Sequence, residues 1–379
     1  MSLRIPLARL EVEALEGYSA PLEGRRGLLR LDFNENTIGP TPLVFTTISN
    51  LPADSYAIYP EYDGLKERLI SILGITNLLN PSQVGIFNGV DAALHAICHA
   101  FGAPGEKMLI TSPTFGYYAP CARMQGMRLE AIPHIVPNLS FPFQAIHTSL
   151  STARIVLICN PNNPTGTRIR PEQVIKLATA SPSTLIIVDE LYENFTGDSV
   201  LPLLASQKDN KLEDEEENNL FSLLPNLLVL RSLSKTAGMA GLRLGFAIGH
   251  CEIINRIGRV TGPYDVNSFA VNAALVALSD QFYIDAYVSE ILQARTWLIR
   301  SLELKNTCYH TGGGNYILIW PKQPVNQVCE YLRENGILVR SMSNKPQING
   351  AFRISIGTLR QMQNFLRSYE QIEKCLYPG

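Results

Sequence analysis

The sequence has no cysteine pattern that could build a disulfide framework. Its seven cysteines are scattered over 379 residues, their number is odd, and no two form a C-x-x-C pair. Such thiols are typical of a reducing compartment. The chain also lacks an apolar run of transmembrane length, and Arg4, Arg9, Glu11 and Glu13 interrupt the region where a signal peptide has its apolar core. We therefore expect a cytoplasmic protein with no membrane partner.

An excess of positive charge is also missing. The 32 basic and 34 acidic residues leave a net charge of −2, which gives no electrostatic footprint for nucleic acid. Neither a G-x-G-x-x-G loop nor a Walker A loop occurs, which disfavours a nicotinamide or nucleotide enzyme. His95 and His99 have the i, i+4 spacing of a metal-binding helix, but no third ligand accompanies them, so we expect no metal.

What the chain does have is a repeated alternation of short apolar runs with segments of helical spacing. From about residue 84 to residue 249 this alternation predicts an α/β fold, with a mainly parallel sheet covered by helices. Past about residue 270, short strands and long helices predict a smaller α+β unit. We predict a large domain over 37–270 and a small domain formed by 1–36 together with 271–379.

The periodicity also locates individual elements. Strands are predicted at 84–87, 108–110, 155–159, 185–188, 228–230, 242–248, 316–320, 337–340 and 352–356. Helices are predicted at 64–73, from 89 to 101, and at 172–180, 281–304, 324–335 and 358–375. Segment 206–219 contains a run of five acidic residues and is predicted to be a solvated surface loop, with an acidic docking site as the alternative.

Segment 231–243 carries the strongest chemical signal. It lies between two apolar runs and contains Ser232, Ser234, Lys235 and Arg243. A lysine at the end of a buried strand is costly to desolvate, and burial lowers its pKa, which suits an amine that reacts with an aldehyde. The two hydroxyls and the guanidinium supply donors for a phosphate beside that amine. The alternative is a glycine-rich turn with a snorkelling lysine.

Four further polar or aromatic segments follow predicted strands. Asn163 offers an amide, Asp189 a carboxylate and Tyr192 a phenol. Gly89-Val90-Asp91 opens a helix whose N–H groups can hold a phosphate, and Phe115 offers a ring for stacking. Each alone is as easily structural as functional. Together with Lys235 they match the groups that hold pyridoxal phosphate.

On these residues the sequence resembles the fold-type I pyridoxal-phosphate-dependent aminotransferases, and within them the histidinol-phosphate aminotransferases. The resemblance is carried by Asn-Pro-Thr-Gly at 163–166, by the Asp189/Tyr192 pair and by Ser-x-Ser-Lys-x₇-Arg at 232–243, and it extends from Tyr18 to about Arg360. It implies a large domain with a seven-stranded type of sheet, and a homodimer.

The resemblance also implies a role for each site residue. Lys235 is implied to bond covalently to the cofactor aldehyde and then to move protons, and Asp189 to pair with the pyridinium nitrogen. Asn163 and Tyr192 hydrogen-bond the phenolic oxygen of the ring, on which Phe115 stacks in place of the usual tyrosine. The implied phosphate-binding residues are Gly89, Val90, Asp91, Ser232, Ser234 and Arg243, with Tyr59 reaching the neighbouring subunit's cofactor phosphate.

Substrate binding is implied for Tyr18, Arg340 and Arg353. Arg353 resembles the carboxylate-binding arginine of the superfamily, and Arg340 is an additional arginine that suits a substrate phosphate. The resemblance thus implies transfer of an amino group from histidinol phosphate to 2-oxoglutarate. The alternatives are an aromatic amino-acid aminotransferase and a threonine-phosphate decarboxylase, and, in a different class, a non-catalytic regulatory domain that binds the cofactor to sense amines.

Overall fold

The structure is a computed structural model that describes residues 5–17, 23–62, 64–76, 78–206 and 221–376. Tyr18 and most of the acidic segment 206–219 lie outside these ranges. The strands of the described residues are β1 (Leu29–Arg30), β2 (Val84–Phe87), β3 (Lys107–Ser112), β4 (Arg128–Pro133), β5 (Ile155–Cys159), β6 (Leu185–Asp189), β7 (Leu227–Ser232), β8 (Gly245–Gly249), β9 (Cys308–His310), β10 (Tyr316–Trp320), β11 (Ile337–Leu338), β12 (Arg340–Ser341) and β13 (Phe352–Ser355).

The α-helices of the same residues are α1 (Leu10–Glu13), α2 (Pro42–Ser49), α3 (Leu65–Ile72), α4 (Gly89–Phe101), α5 (Tyr118–Met124), α6 (Phe143–Ser149), α7 (Pro171–Ala180), α8 (Leu201–Ser206), α9 (Cys251–Gly258), α10 (Ser268–Ser279), α11 (Gln281–Leu304), α12 (Val325–Glu334) and α13 (Leu359–Leu376). No helix in the described part of the chain combines the length and the apolar character that crossing a bilayer requires.

Seven strands form the large sheet, in the order β2-β8-β7-β6-β5-β3-β4. All neighbouring pairs are parallel except the two that involve β8, which runs antiparallel to β2 and to β7. The predicted α/β class with a mainly parallel sheet is therefore confirmed. The strand predicted at 242–248 begins only at Gly245, because residues 240–242 form a 3₁₀ turn and Arg243 has a left-handed φ of 58°. The edge strand β4 was not predicted.

The central strands are apolar on both faces because both faces are covered. Along β5, Ile155 and Leu157 belong to one apolar cluster, and Val156 and Ile158 belong to the cluster on the opposite face. This alternation follows from the two-residue period of a strand, and the absence of polar residues follows from burial on both sides. Polar groups are thereby confined to the strand ends, where the loops begin.

A smaller antiparallel sheet of order β12-β13-β10-β9 packs with α11, α12 and α13. The N-terminal segment joins this unit, since β1 pairs in parallel with β11 and Ser355 donates its N–H to the carbonyl of Leu31 at 2.9 Å. The helix predicted at 281–304 and the strand predicted at 316–320 are confirmed at those bounds. The domain boundary at 270 stays a prediction, and α10, which crosses it, packs its buried residues into the core of the large sheet.

The large and the small sheet are connected by a close backbone contact between the turn at 162–166 and the glycines at 312–314. Gly313 donates its N–H to the carbonyl of Gly166 at 2.7 Å, and the Tyr316 hydroxyl donates to the carbonyl of Asn162 at 2.7 Å. A Cβ at Gly166 would lie 2.9 Å from the Cα of Gly312. The glycines at 312–314 therefore allow the 162–166 turn to approach closely.

Replacing Gly166 by alanine tests this contact. Gly166 has a φ of 72°, and Gly105 has a φ of 82° with no atom within 4 Å of the position that a Cβ would take, so Gly105→Ala serves as the matched control. The left-handed backbone alone costs about 1 kcal/mol in each variant, and overpacking adds roughly 1–3 kcal/mol to Gly166→Ala. Urea denaturation should show the larger loss for Gly166→Ala. Equal losses in the two variants would contradict the role of the close approach.

Candidate active site

A cavity of about 670 Å³ lies between the large sheet and the smaller sheet. Its floor is formed by the loops that follow the carboxyl ends of β3, β5, β6 and β7, which is where parallel sheets place their ligands. Twelve of the predicted site residues line it, namely Val90, Asp91, Phe115, Asn163, Asp189, Tyr192, Ser232, Ser234, Lys235, Arg243, Arg340 and Arg353. Residues from distant parts of the chain thus meet at one place.

Three predicted site residues do not line the cavity. Gly89 is the first residue of α4 and lies directly beside the lining residue Val90. Tyr59 is 69% exposed on the surface and stacks on Tyr264, with ring centroids 4.0 Å apart. Tyr18 lies outside the described residues. The structure of one chain therefore brings the predicted cofactor residues together, except the one predicted to serve a neighbouring subunit.

Lys235 extends into the cavity from the loop after β7. Its Nζ donates to the carbonyl of Phe33 at 2.9 Å and lies 5.9 Å from the centroid of the Tyr192 ring. Burial, and next the positive charge of Arg353, lower the pKa of Lys235 from its usual 10.5 to about 8. A sizeable fraction of the amine is therefore neutral and nucleophilic near neutral pH.

Asp189, the last residue of β6, is a buried carboxyl whose two oxygens face different donors. Tyr118 donates its hydroxyl to Oδ2 at 2.5 Å, and Leu191 donates its N–H to Oδ1 at 3.1 Å. Burial raises the pKa of Asp189 to about 6, although both hydrogen bonds oppose that rise. No ion pair links Asp189 to a residue in the described ranges. A cationic ring nitrogen would supply the charge that this carboxylate lacks.

Tyr118 is a site residue that the sequence analysis missed. It is fully buried at the start of α5, and its ring packs edge-on against Phe115, with centroids 5.4 Å apart. The aromatic run at 113–118 was the available signal, but only Phe115 was selected from it. Which of its rings faces Asp189 depends on the path of the loop, and sequence spacing does not specify that path.

The start of α4 forms a narrow cup next to the end of β7. Gly89 has a φ of 78°, and a Cβ there would lie 2.6 Å from a guanidinium nitrogen of Arg243. A Cβ at Gly245 would lie 2.6 Å from the backbone nitrogen of Val90. Only glycine fits at these two positions, so the backbone N–H groups at the N-terminus of α4 stay accessible to an anion.

Hydroxyls and a guanidinium complete this cup. Ser232 Oγ lies 2.9 Å from Ser234 Oγ and 3.1 Å from the carbonyl of Leu244. Arg243 donates to the Asp91 carboxylate at 2.8 Å, and both side chains are more than 40% exposed. The carboxylate of Asp91 therefore orients Arg243. The backbone N–H of Asp91, rather than its carboxylate, is the group that can bind a phosphate.

Two donors converge on the middle of the cavity. The Asn163 side-chain oxygen accepts a hydrogen bond from Arg353, which directs the Asn163 amide N–H groups away from Arg353. The Tyr192 hydroxyl accepts from the Asn34 side-chain amide at 3.0 Å. Burial raises the pKa of Tyr192 above its usual 10, so the phenol stays protonated and can donate to an acceptor in the cavity.

Arg340 and Arg353 form a pair of like charges on the opposite wall. They lie directly across from each other in the antiparallel pair of β12 and β13, and both line the cavity. Like charges in this position are destabilising. Among the described residues, neither guanidinium forms an ion pair with a carboxylate. Burial lowers the pKa of Arg353 below its usual value, and the positive charge of Arg340 adds to that effect, whereas Tyr192 and Tyr316 oppose it. The arrangement is suited to bind anions.

Arg25 and Phe33 are further lining residues that the sequence analysis missed. The Arg25 guanidinium bonds the carboxylates of Asp32 and Glu35 and lies 4.1 Å from the centroid of the Phe33 ring. The guanidinium carbon of Arg340 lies 5.7 Å from the same ring. The charge of Arg25 is offset by two carboxylates, so Arg340 is the cation of this pair that is available to a ligand.

These residues fit pyridoxal phosphate on the chemistry of their donors. Lys235 supplies an amine of lowered pKa, and Asp189 supplies a buried carboxylate with no cationic partner in the described ranges. The glycine-lined cup at α4 offers N–H groups, hydroxyls and a guanidinium suited to a phosphate.

Comparison with known proteins agrees with this chemistry. The family model described as aminotransferase class I and II matches residues 26–368. The chain is 31% identical over 358 residues to the histidinol-phosphate aminotransferase of Geobacillus sp. (strain WCH70), covering 93% of this chain and 92% of that protein. It is also 31% identical over 358 residues to a dihydroxyacetone phosphate transaminase of Campylobacter jejuni, covering 92% and 90%.

The fold is shared with solved structures. The histidinol-phosphate aminotransferase from Sinorhizobium meliloti, solved in complex with pyridoxal-5'-phosphate, superimposes with a TM-score of 0.84 at 22% identity, covering 99% of each chain. A putative histidinol-phosphate aminotransferase from Erwinia carotovora atroseptica gives a TM-score of 0.79 at 24% identity, covering 92% of this chain and 96% of that one.

The lowered pKa of Lys235 can be measured on the cofactor-free protein. The labelling rate of Lys235 by an amine-reactive reagent should rise with pH and reach half its maximum near pH 8. Only the neutral amine reacts, and its pKa is about 8. Peptide mass spectrometry after timed labelling gives the rate, and Lys305 on the surface serves as the internal control. A midpoint near the usual 10.5 would mean that the cavity does not desolvate this amine.

Proposed function

The chain belongs to the aminotransferases of class I and II, and from this we propose that it transfers an amino group from histidinol phosphate to 2-oxoglutarate, with pyridoxal phosphate as cofactor. The observation that carries the proposal is the pair of arginines, Arg340 and Arg353, that face each other without a carboxylate partner in the described ranges. Two cations on one wall suit two kinds of anion: a phosphate monoester on the amine and carboxylates on the 2-oxoacid.

Each arginine has a different setting, which supports different roles. Arg353 is buried, beside Asn163, and deep in the cavity, so we assign it the α-carboxylate of glutamate or 2-oxoglutarate. Arg340 is half-buried, lies against the Phe33 ring and has Lys345 nearby on the cavity lining, so we assign it the phosphate of histidinol phosphate. A planar guanidinium can meet two phosphate oxygens at once.

The residues on the floor of the cavity support the proposed cofactor. When bound, pyridoxal phosphate supplies an electron sink that stabilises the negative charge left on the substrate carbon when its proton is removed. In our proposal Lys235 would hold the cofactor covalently until the substrate amine displaces it, and its freed amine would then carry that proton from the substrate carbon to the aldehyde carbon of the cofactor. Asp189 keeps the ring nitrogen protonated, while Asn163 and Tyr192 donate to the phenolic oxygen.

The remaining cofactor residues have binding roles in the proposal. Phe115 stacks on the ring, and the phosphate is bound by the α4 N-terminus, Ser232, Ser234 and Arg243. The match to the aminotransferase family over most of the chain supports an enzyme rather than a regulatory domain that only senses amines.

A second phosphorylated substrate belongs in the assay. The relative from Campylobacter jejuni is named a dihydroxyacetone phosphate transaminase, and its substrate shares the phosphate monoester with histidinol phosphate. The arginine pair suits both molecules equally. Turnover of histidinol phosphate, dihydroxyacetone phosphate, threonine phosphate and an aromatic amino acid by the purified holoenzyme identifies the substrate.

The same proposal includes a cytoplasmic homodimer. Tyr59 and Tyr264 are exposed rings that stack on each other on a surface that a second copy would cover, and Phe45, Tyr56 and Ile58 are exposed apolar side chains near Tyr59 in the sequence. Isolated exposed apolar residues are ordinary, but a group of them supports an interface. In the dimer we propose, Tyr59 reaches the phosphate of the partner's cofactor.

The phosphate role of Arg340 is tested by Arg340→Ala. Loss of the guanidinium should lower kcat/KM for histidinol phosphate, because a dianion loses its counter-charge. The fall should correspond to roughly 2–4 kcal/mol of lost transition-state stabilisation. For amino acids without a phosphate, kcat/KM should fall much less. Arg360 is an exposed arginine of the same unit, and Arg360→Ala should leave kcat/KM unchanged for both kinds of substrate. An unchanged ratio of kcat/KM between phosphorylated and unphosphorylated substrates would contradict the assignment.

The composite site is tested by mixing two variants. Tyr59→Phe should weaken cofactor retention, and Lys235→Ala should abolish turnover because no other group in the proposal carries the covalent bond and the proton. Heterodimers formed after mixing contain one site with both Tyr59 and Lys235 intact. Activity at limiting cofactor should therefore rise above that of either parent, and no rise would mean that Tyr59 serves its own subunit or none.

A further inference from the structure

A buried ion cluster lies directly behind the cofactor residues. It consists of Glu190, Glu193, Arg231 and Ser199, none of which lines the cavity. Glu190 follows Asp189 at the end of β6, and Arg231 precedes Ser232 at the end of β7. The cluster therefore joins the two loops on which the cofactor residues are carried. The side chains of Glu190, Glu193 and Arg231 are 0%, 11% and 12% exposed.

The contacts within the cluster are dense. One guanidinium nitrogen of Arg231 lies 2.9 Å from a Glu190 carboxylate oxygen, as an ion pair, and donates to the Ser199 hydroxyl at 2.8 Å. The other guanidinium nitrogen donates to Glu193, and the Ser199 hydroxyl donates to the same Glu190 oxygen at 2.9 Å. The second oxygen of Glu190 accepts the N–H of Val200 at 2.9 Å. One guanidinium thus spans two carboxylates on the loop after β6.

Strand geometry links this cluster to the cavity. Successive residues of a strand point to opposite faces, so Ser232 faces the cavity while Arg231 faces away from it. The same holds for Asp189 and Glu190, and the backbone N–H of Glu190 still pairs with the carbonyl of Leu230 at 3.0 Å. Any shift of the backbone at Arg231 relative to the backbone at Glu190 must therefore move Asp189 relative to Ser232.

Stability alone does not account for the cluster. Desolvating two carboxylates and a guanidinium is costly, and apolar residues of similar volume often replace such groups without loss. The Nε of Arg231 is moreover a buried donor that has no hydrogen-bond partner among the described residues. What ions provide, and apolar packing does not, is a directional bond that fixes one loop at one distance from another.

We propose that Arg231 is a positioning residue: its bonds to Glu190 and Glu193 hold the loop that carries Asp189 and Tyr192 in register with the loop that carries Ser232 and Lys235. The inference rests on the proposed cofactor roles of these four residues. Asn194 and Thr236 add a second, weaker tie between the same loops, with 3.3 Å between the amide oxygen and the hydroxyl.

The test uses Arg231→Lys, which keeps the charge but cannot span two carboxylates with a rigid fork. The first measurement is the pH midpoint for labelling Lys235 in the cofactor-free protein, which depends on neither cofactor nor substrate. If the loops separate, water should reach Lys235 and the midpoint should rise by about one pH unit toward the usual value. The second is turnover, where kcat should fall about tenfold with little change in KM.

Val174→Ala serves as the control for a purely structural effect. Val174 is fully buried on α7, away from both loops, and its truncation lowers the melting temperature without touching the cluster. The labelling midpoint in this variant should stay at the wild-type value. A midpoint in Arg231→Lys that also stays unchanged, at a comparable loss of melting temperature, would overturn the positioning role.

Glu193→Gln provides a second variant in case Arg231→Lys does not fold. This substitution removes the ion pair between Arg231 and Glu193 and keeps the side-chain volume. Loss of a negative charge would by itself lower the pKa of Lys235, so a rise in the midpoint can come only from a loosened loop. A rise supports the proposal, and an unchanged or lowered midpoint overturns it. Neither result depends on which amine the enzyme uses, so failure here is distinct from failure of the proposed function.

Discussion

The active site depends on one constraint: ionisable groups are buried where apolar strands end. Asp189 follows four apolar residues of β6, and Lys235 lies three residues beyond β7, so water cannot solvate either group fully. Burial raises the pKa of the acid to about 6 and lowers that of the amine to about 8. The surrounding groups, such as the Tyr118 hydroxyl and the Phe33 carbonyl, offset part of that desolvation. A ligand carrying a ring cation and a phosphate would offset more of it.

In the function we propose, substrate selection depends on the smaller sheet, whose register places Arg340 opposite Arg353. Their repulsion is tolerated because the rest of the unit is well packed, with the β10 and β13 side chains buried in its core. Neighbouring groups differentiate the two arginines: Asn163 and the Asp32 carbonyl accept from Arg353, while Arg340 lies near an aromatic ring. One antiparallel pair therefore presents two guanidinium groups at different depths, which suits the two anions of the proposed reaction.

Most strand positions, and Lys235 with its neighbouring hydroxyls, could be predicted from the sequence because their signal is local. An apolar run that ends in a polar group identifies both the strand and the edge of the sheet. The antiparallel direction of β8 depends on the path of the connection from β7, in which Arg243 has a left-handed φ, and the sequence does not reveal that path. Tyr118 and Arg25 were missed because their partners are defined by folded loops, and β4 because an edge strand needs few apolar residues. The domain boundaries and the residue roles stay predictions.

The pairing of β1 with β11 has a consequence for biosynthesis. Leu29 leaves the ribosome early, but its partner Ile337 is made only near the end of translation. All seven strands of the large sheet lie before residue 250, so that sheet can fold before β11, the partner of the N-terminal segment, has been synthesised. The Phe33 carbonyl, which accepts a hydrogen bond from Lys235, belongs to the same N-terminal segment. The amine of Lys235 therefore acquires its final surroundings last, after the N-terminal segment and β11 have paired.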